Sequence, residues 1–210
     1  MTHDIDVLIL GGGAAGLFCA LTAGQRGRSV LVLDSSNKVG KKILMSGGGR
    51  CNFTNLDIQP ENYLSANPHF VKSALSQYTQ WDFIALVEKH GIAYHEKGLG
   101  ELFCDDSSKQ ILQMLVAECD ASGVTIRTKV HTDQVKCTEK GFQVSTSVGL
   151  ITAQSLVFAT GGLSIPTLGS SGFGYELAEQ FGLNVLPRTP GLVPFTFTDH
   201  IKGLCERLSG

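Results

Sequence analysis

The stretch DVLILGGGAAGLFCA, Asp6 to Ala20, decides the fold. The run Ile5–Leu10 is short and almost continuously apolar, as expected of a parallel strand buried on both faces, and it ends in glycine. Gly11, Gly13 and Gly16 fill the pattern GxGxxG, and Ala14–Arg26 then reads as a helix with Leu17, Ala20, Leu21 and Gly24 on one stripe. SVLVLD, Ser29 to Asp34, is a second apolar strand that ends in an acid. Strand, glycine turn, helix and strand within about 30 residues predict a right-handed βαβ unit.

In such a unit the first glycine permits a tight turn, the second lets backbone approach a pyrophosphate, and the third lets helix and strand pack closely. Ala14 and Ala15 then lie at the helix N-terminus, where free N–H groups and a partial positive charge favour phosphate. Asp34, 18 residues after Gly16, is placed to accept from an adenosine ribose, with Ser35 beside it. The pattern predicts a dinucleotide, FAD or NAD.

Two further glycine clusters bear on that choice. VGKKILMSGGGRCNFTN, Val39 to Asn55, stands where a nicotinamide dehydrogenase would place its second crossover helix. It reads instead as a long glycine-rich loop that runs along an extended cofactor, with Lys41, Lys42, Ser46, Gly47, Gly48, Gly49, Arg50, Cys51 and Asn52 as candidate contacts. This favours FAD. FATGGLSIPTLGSSGFGY, Phe158 to Tyr175, follows another buried strand and brings Ala159, Thr160, Gly161 and Gly162 toward the same ligand.

Arg50 and Asn52 are the candidate catalytic residues, Arg50 because a fixed guanidinium can bind phosphate or carboxylate bidentately. Cys51 has no cysteine at short spacing, so a small residue packed near the cofactor is a better reading than a redox thiol.

Between the clusters, Asn67–His90 reads as one or two helices. Ser107–Ser122 reads as a helix opened by a Ser107/Gln110 capping box. Val130–Ala153 reads as an antiparallel meander inserted into the α/β layer, with Val130 near the cofactor, and Gly174–Phe181 as a short helix. The expected fold is a Rossmann-like α/β FAD-binding domain with a parallel central sheet and a small antiparallel insertion. It should occupy residues 1–190, with 191–210 beginning a further substrate or cap domain that opens on a strand in GLVPFTF.

Composition bounds the function. Glycine supplies 25 of 210 residues, and the excess is confined to these clusters. A formal net charge of −2 and the lack of a basic run argue against nucleic acid and anionic membrane as partners. Six cysteines without CxxC spacing fit reduced thiols and a cytoplasmic location. The six histidines show no metal-site spacing, no metal is expected, and GxSxG is absent.

DVLILGGGAAGLFCA, KKILMSGGGRCNFTN, GELFC, LVFATGGLSIPTLGSSGFGYELAEQFG and PGLVPFTF together resemble the two-dinucleotide-binding-domain flavoproteins. Within them the chain is similar to the bacterial aminoacetone-oxidase-like NAD(P)/FAD-dependent oxidoreductases. The resemblance implies non-covalent FAD, NAD(P)H as a possible electron donor, a small organic substrate, and a longer protein with an inserted domain after Leu192. Many relatives carry Glu at Asp34 and Pro at Cys104. The rival readings are an NAD-only dehydrogenase and a non-catalytic FAD sensor. An FAD-dependent tRNA-modifying protein shares the fold but is disfavoured by the neutral charge. No residue pattern fixes an oligomeric state.

Overall fold

The computed structural model describes residues 4–165, 168–191 and 196–208. They fall into two compact units, Met1–Leu177 and Ala178–Gly210. Strand β1 (Asp4–Leu10), helix α1 (Ala14–Gln25) and strand β2 (Val30–Asp34) form the expected βαβ unit, with β1 and β2 parallel. Leu8, Ile9 and Val32 have no exposed surface, which is what a strand covered on both faces requires.

The second crossover is longer and irregular. It runs through α2 (Lys41–Met45), β3 (Asn52–Asn55), α3 (Lys72–Gln77), α4 (Gln80–Lys89), β4 (Tyr94–Gly98), β5 (Glu101–Cys104) and α5 (Lys109–Ala121) before returning as β6 (Thr125–Thr128). Strand β6 pairs parallel with β2, and α1 and α5 pack over one core that contains Ile9, Leu17, Leu21, Met114, Leu115 and Cys119. β3, β5 and β4 form a separate three-stranded antiparallel sheet.

β7 (Thr132–Thr138), β8 (Gly141–Thr146) and β9 (Gly149–Phe158) are the meander. It is continuous with the α/β layer, and LITA and SLVF, expected as two strands, are one ten-residue strand: β9 pairs antiparallel with β8 and parallel with β1. No glycine or proline separates the two runs, so nothing breaks the extended backbone between them. The six-stranded sheet has the order β6-β2-β1-β9-β8-β7. Its order reverses between β1 and β9, the position where open α/β sheets leave a crevice at their strand ends.

Two expectations of detail change. The capping box at Ser107 does not form; α5 begins at Lys109, and buried Ser108 donates its hydroxyl to the Leu44 carbonyl at 2.9 Å, tying α5 to α2. A box does form at α4, where Thr79 and Asp82 bond reciprocally. α6 (Phe173–Gln180) is present as expected, and α7 (Asp199–Leu208) is helical. Of the strand expected in GLVPFTF, residues 192–195 lie outside the described residues. No described helix is long and apolar enough to cross a membrane.

α4 and α5 are joined by a buried carboxylate. Glu118 on α5 is 7% exposed and accepts from both Lys89 Nζ and His90 Nε2 at 2.7 Å, and these bonds hold its carboxyl below the ordinary range. Because the folded pKa lies below the unfolded one, this contribution is complete above the unfolded pKa and disappears as pH falls through the folded one. Glu118→Gln is expected to cost about 1 kcal/mol at pH 7. The gap from wild type should close as thermal melts are taken down toward pH 3, and a gap independent of pH would contradict the assignment.

Candidate functional site

A cavity of about 870 Å³ opens at the ends of β1, β2 and β9, within the first unit. That is the size of a small-molecule or cofactor site. Its rim begins at the first glycine cluster. Gly11 has φ +110°, and a Cβ there would collide with the Ala159 carbonyl. At Gly16 a Cβ would collide with the Gly11 carbonyl, so this glycine sets the approach of helix to strand and does not line the cavity. Gly12, which the motif treats as a free position, is also crowded: a Cβ there would collide with the Val39 side chain, and its N–H donates to Asp34 Oδ2 at 2.8 Å.

Gly13 differs from its neighbours. Nothing lies within 4 Å of where its Cβ would be, and no side chain caps α1 at this residue. Gly13, Ala14 and Ala15 line the cavity, so the first-turn N–H groups of a 12-residue helix open toward it. An uncapped N-terminus beside a surface cleared of side chains fits a phosphate-bearing cofactor.

Asp34 lines the cavity beside the glycine loop, with Ser35. Its Oδ2 holds the glycine loop through Gly12, and its Oδ1 accepts from Ser36 N at 2.7 Å. Each oxygen keeps acceptor capacity for a hydroxyl. Val130, whose N–H donates to the Asp34 carbonyl at 3.1 Å, lines the same end together with His131 and Thr132.

The second glycine cluster is not one long loop. It folds as the short helix α2, a tight turn over Ser46–Gly49, and β3. Gly47, Gly48 and Gly49 have φ of 56°, 64° and 88°, a left-handed run that side chains resist. A Cβ on Gly47 would also lie 2.7 Å from both Asn52 N and Phe103 Cε1.

The turn is a junction. Gly49 O accepts from Ser108 N at 2.7 Å, Arg50 O from Cys104 N at 2.9 Å, and Ser46 O from Cys51 N at 3.0 Å. Lys41, Lys42, Ser46, Cys51 and Asn52 line the cavity, whereas Gly47, Gly48, Gly49 and Arg50 do not. The Arg50 side chain is exposed and forms no ion pair among the described residues. Cys51 is 6% exposed; burial pushes its thiol up, with the Ser46 hydroxyl acting the other way. Its neighbour Cys104 is pushed up to about 11 by burial first and by Cys51 second, so both thiols keep their protons near neutrality.

Ala159, Thr160 and Gly161 complete the strand-end wall, while Gly162 stands behind it and receives a bond from Lys42 Nζ at 3.4 Å. Pro166 and Thr167 of this third cluster lie outside the described residues. Sequence reasoning missed the apolar wall made by Phe18, Phe53, Leu75, Tyr78 and Phe83. Phe18 meets Tyr78 edge-on at 4.8 Å and Phe83 at 6.4 Å. Helical spacing marks Leu75 and Phe83 as apolar positions, and the same signal serves a core face and a cavity wall alike.

Residues 5–201 match the profile described as HI0933-like protein Rossmann domain, and the chain belongs to that family of FAD-dependent Rossmann oxidoreductases. A ribosomal RNA dihydrouridine synthase of Escherichia coli (strain K12) is 60% identical over 203 residues, covering 97% of this chain and 50% of that protein. One from Haemophilus influenzae is 52% identical, covering 100% and 53%. A 3-dehydro-bile acid delta(4,6)-reductase of Clostridium scindens is 31% identical over 91% of the chain and 47% of that protein.

The chain thus spans about half the length of the curated relatives it matches. Among solved structures, a flavocytochrome c3 fumarate reductase (TM-score 0.58, 19% identity, 85% of this chain and 40% of that one) shares the fold. So does glycine oxidase from Geobacillus kaustophilus (TM-score 0.54, 14% identity, 87% and 60%).

These relatives overturn the expectation of a small-molecule substrate and no nucleic acid, since the two synthases are named for action on ribosomal RNA. The charge argument failed because net charge is an average, here over about half the relatives' length. The cavity itself is lined by Lys38, Lys41 and Lys42 against one carboxylate, Asp34.

Gly13→Val separates fold from site. With open space at its Cβ, the variant should lose no more than about 1 kcal/mol of stability. Its affinity for FAD in isothermal titration should fall at least tenfold, about 1.4 kcal/mol. Unchanged affinity would remove the α1 N-terminus from the site.

Proposed function

We propose that the full-length protein is an FAD-dependent enzyme that reduces a uridine base of ribosomal RNA to dihydrouridine, with NAD(P)H as the electron source. The observation that carries this reading is the 60% identity to the Escherichia coli synthase across 97% of the chain. The cavity supports it by pairing an uncapped helix N-terminus with an apolar wall.

In this reading Gly11, Gly13, Ala14 and Ala15 take the pyrophosphate, and Asp34, Ser35 and Val130 the adenosine end. Lys41, Lys42, Ala159, Thr160 and Gly161 flank the middle. Bound FAD would supply the hydride chemistry that saturates the C5=C6 bond of uracil. The wall of Phe18, Phe53, Tyr78 and Phe83 excludes water, and Asn52 and protonated Cys51 offer donors at its edge. A base reaches such a cavity only when unstacked from its RNA. Residues 1–190 then form the cofactor half, residues from 191 onward open a further domain, and an RNA substrate places the enzyme in the cytoplasm.

Deleting the gene should remove dihydrouridine from ribosomal RNA, read by mass spectrometry of digested nucleosides, and the full-length wild-type gene should restore it. Ribosomal dihydrouridine that persists at its normal level in the deletion strain would contradict the proposal.

A further inference from the structure

The second and third glycine clusters are joined beside the cavity by one side chain. Lys42 Nζ on α2 donates to the Gly162 carbonyl at 3.4 Å and to Ser164 Oγ at 3.3 Å. The same nitrogen lies 3.4 Å from where a Cβ would stand on Gly161, whose φ is +77°. That is ordinary contact distance, and it is the left-handed backbone that favours glycine here.

Lys42 is half-buried and, among the described residues, has no carboxylate partner. It sits on the wall that the first glycine cluster also forms. Ala159, two residues before Gly161, is what Cβ atoms on Gly11 and Gly16 would meet. The ammonium carries three donors and spends two on neutral oxygens. A positive charge held without an anion in a cavity lined by one carboxylate lacks only a negative ligand.

We propose that Lys42 is a charge latch for the cofactor. It straps α2 to the loop after β9 and turns its remaining N–H to the anionic pyrophosphate, so that ligand charge and loop closure are coupled through one nitrogen. This deepens the FAD reading and rests on it. A point charge on a flexible stem can complete this contact, while the helix N-terminus supplies only partial charge. Lys42 is therefore a positioning residue whose effect is read in cofactor retention.

The test uses full-length protein and measures the rate of FAD release by recovery of flavin fluorescence on dilution, over a range of sodium chloride concentrations. Lys42→Met should release FAD at least tenfold faster than wild type and lose the salt dependence that wild type shows. Lys42→Arg should retain slow release, and Ser164→Ala, which removes one strap acceptor and no charge, should fall between wild type and Lys42→Met. Binding of riboflavin, which has no phosphate, should be the same in wild type and Lys42→Met.

Equal FAD release and equal salt dependence in wild type and Lys42→Met would overturn the latch while leaving the FAD site intact. So would an equal loss of riboflavin and FAD binding, which marks a purely structural lysine. A folded wild-type protein with no affinity for FAD would overturn the cofactor reading and the latch together.

Discussion

The structure depends on one close approach. Strand β1 must turn into helix α1 while β9 lies alongside, and the space between the Gly11 backbone and the Ala159 carbonyl admits no Cβ. Gly16 repeats the constraint one helical turn later against Gly11 itself. Because the chain has no side chains there, α1 starts at the strand end with its N–H groups uncovered, and Asp34 reaches across to hold Gly12. The same contacts place β1 between β2 and β9, and so create the reversal in strand order where the cavity opens.

The rest of the first unit is arranged around that cavity in a division of labour. The parallel strand ends supply backbone and one carboxylate; α2 supplies lysines; α3, α4 and the β3 side supply apolar surface. The triple glycine of the second cluster serves the scaffold. Three consecutive left-handed residues fold the chain tightly enough for Gly49 and Arg50 to anchor α5 and β5, and this fixes Cys51 and Asn52 at the cavity edge.

The βαβ unit and its ligand class were legible because glycine spacing, an apolar strand and an acid at the next strand end are separate signals that agree. The helices at Gln80 and Lys109 were legible from periodicity. β4, with residues YHEKG mostly exposed, and the four-residue β3 and β5 carry no alternation long enough to read, so the second sheet emerged only with tertiary structure. Phe18 and Tyr78 join the site through a ring contact between residues 60 positions apart, a long-range event that local sequence does not encode. That relatives named for action on ribosomal RNA would match was not legible for another reason: net charge averaged over the chain carries no information about local surfaces.

The crevice between β1 and β9, in a chain of an FAD-dependent Rossmann family, is the candidate FAD site. The most direct measurement is the identity and stoichiometry of nucleotide released by denaturing purified full-length protein, resolved by chromatography against FAD, FMN and NAD standards. FAD is expected at one per chain. Release of NAD, or a folded protein that yields no FAD and takes none up when it is supplied, would contradict it.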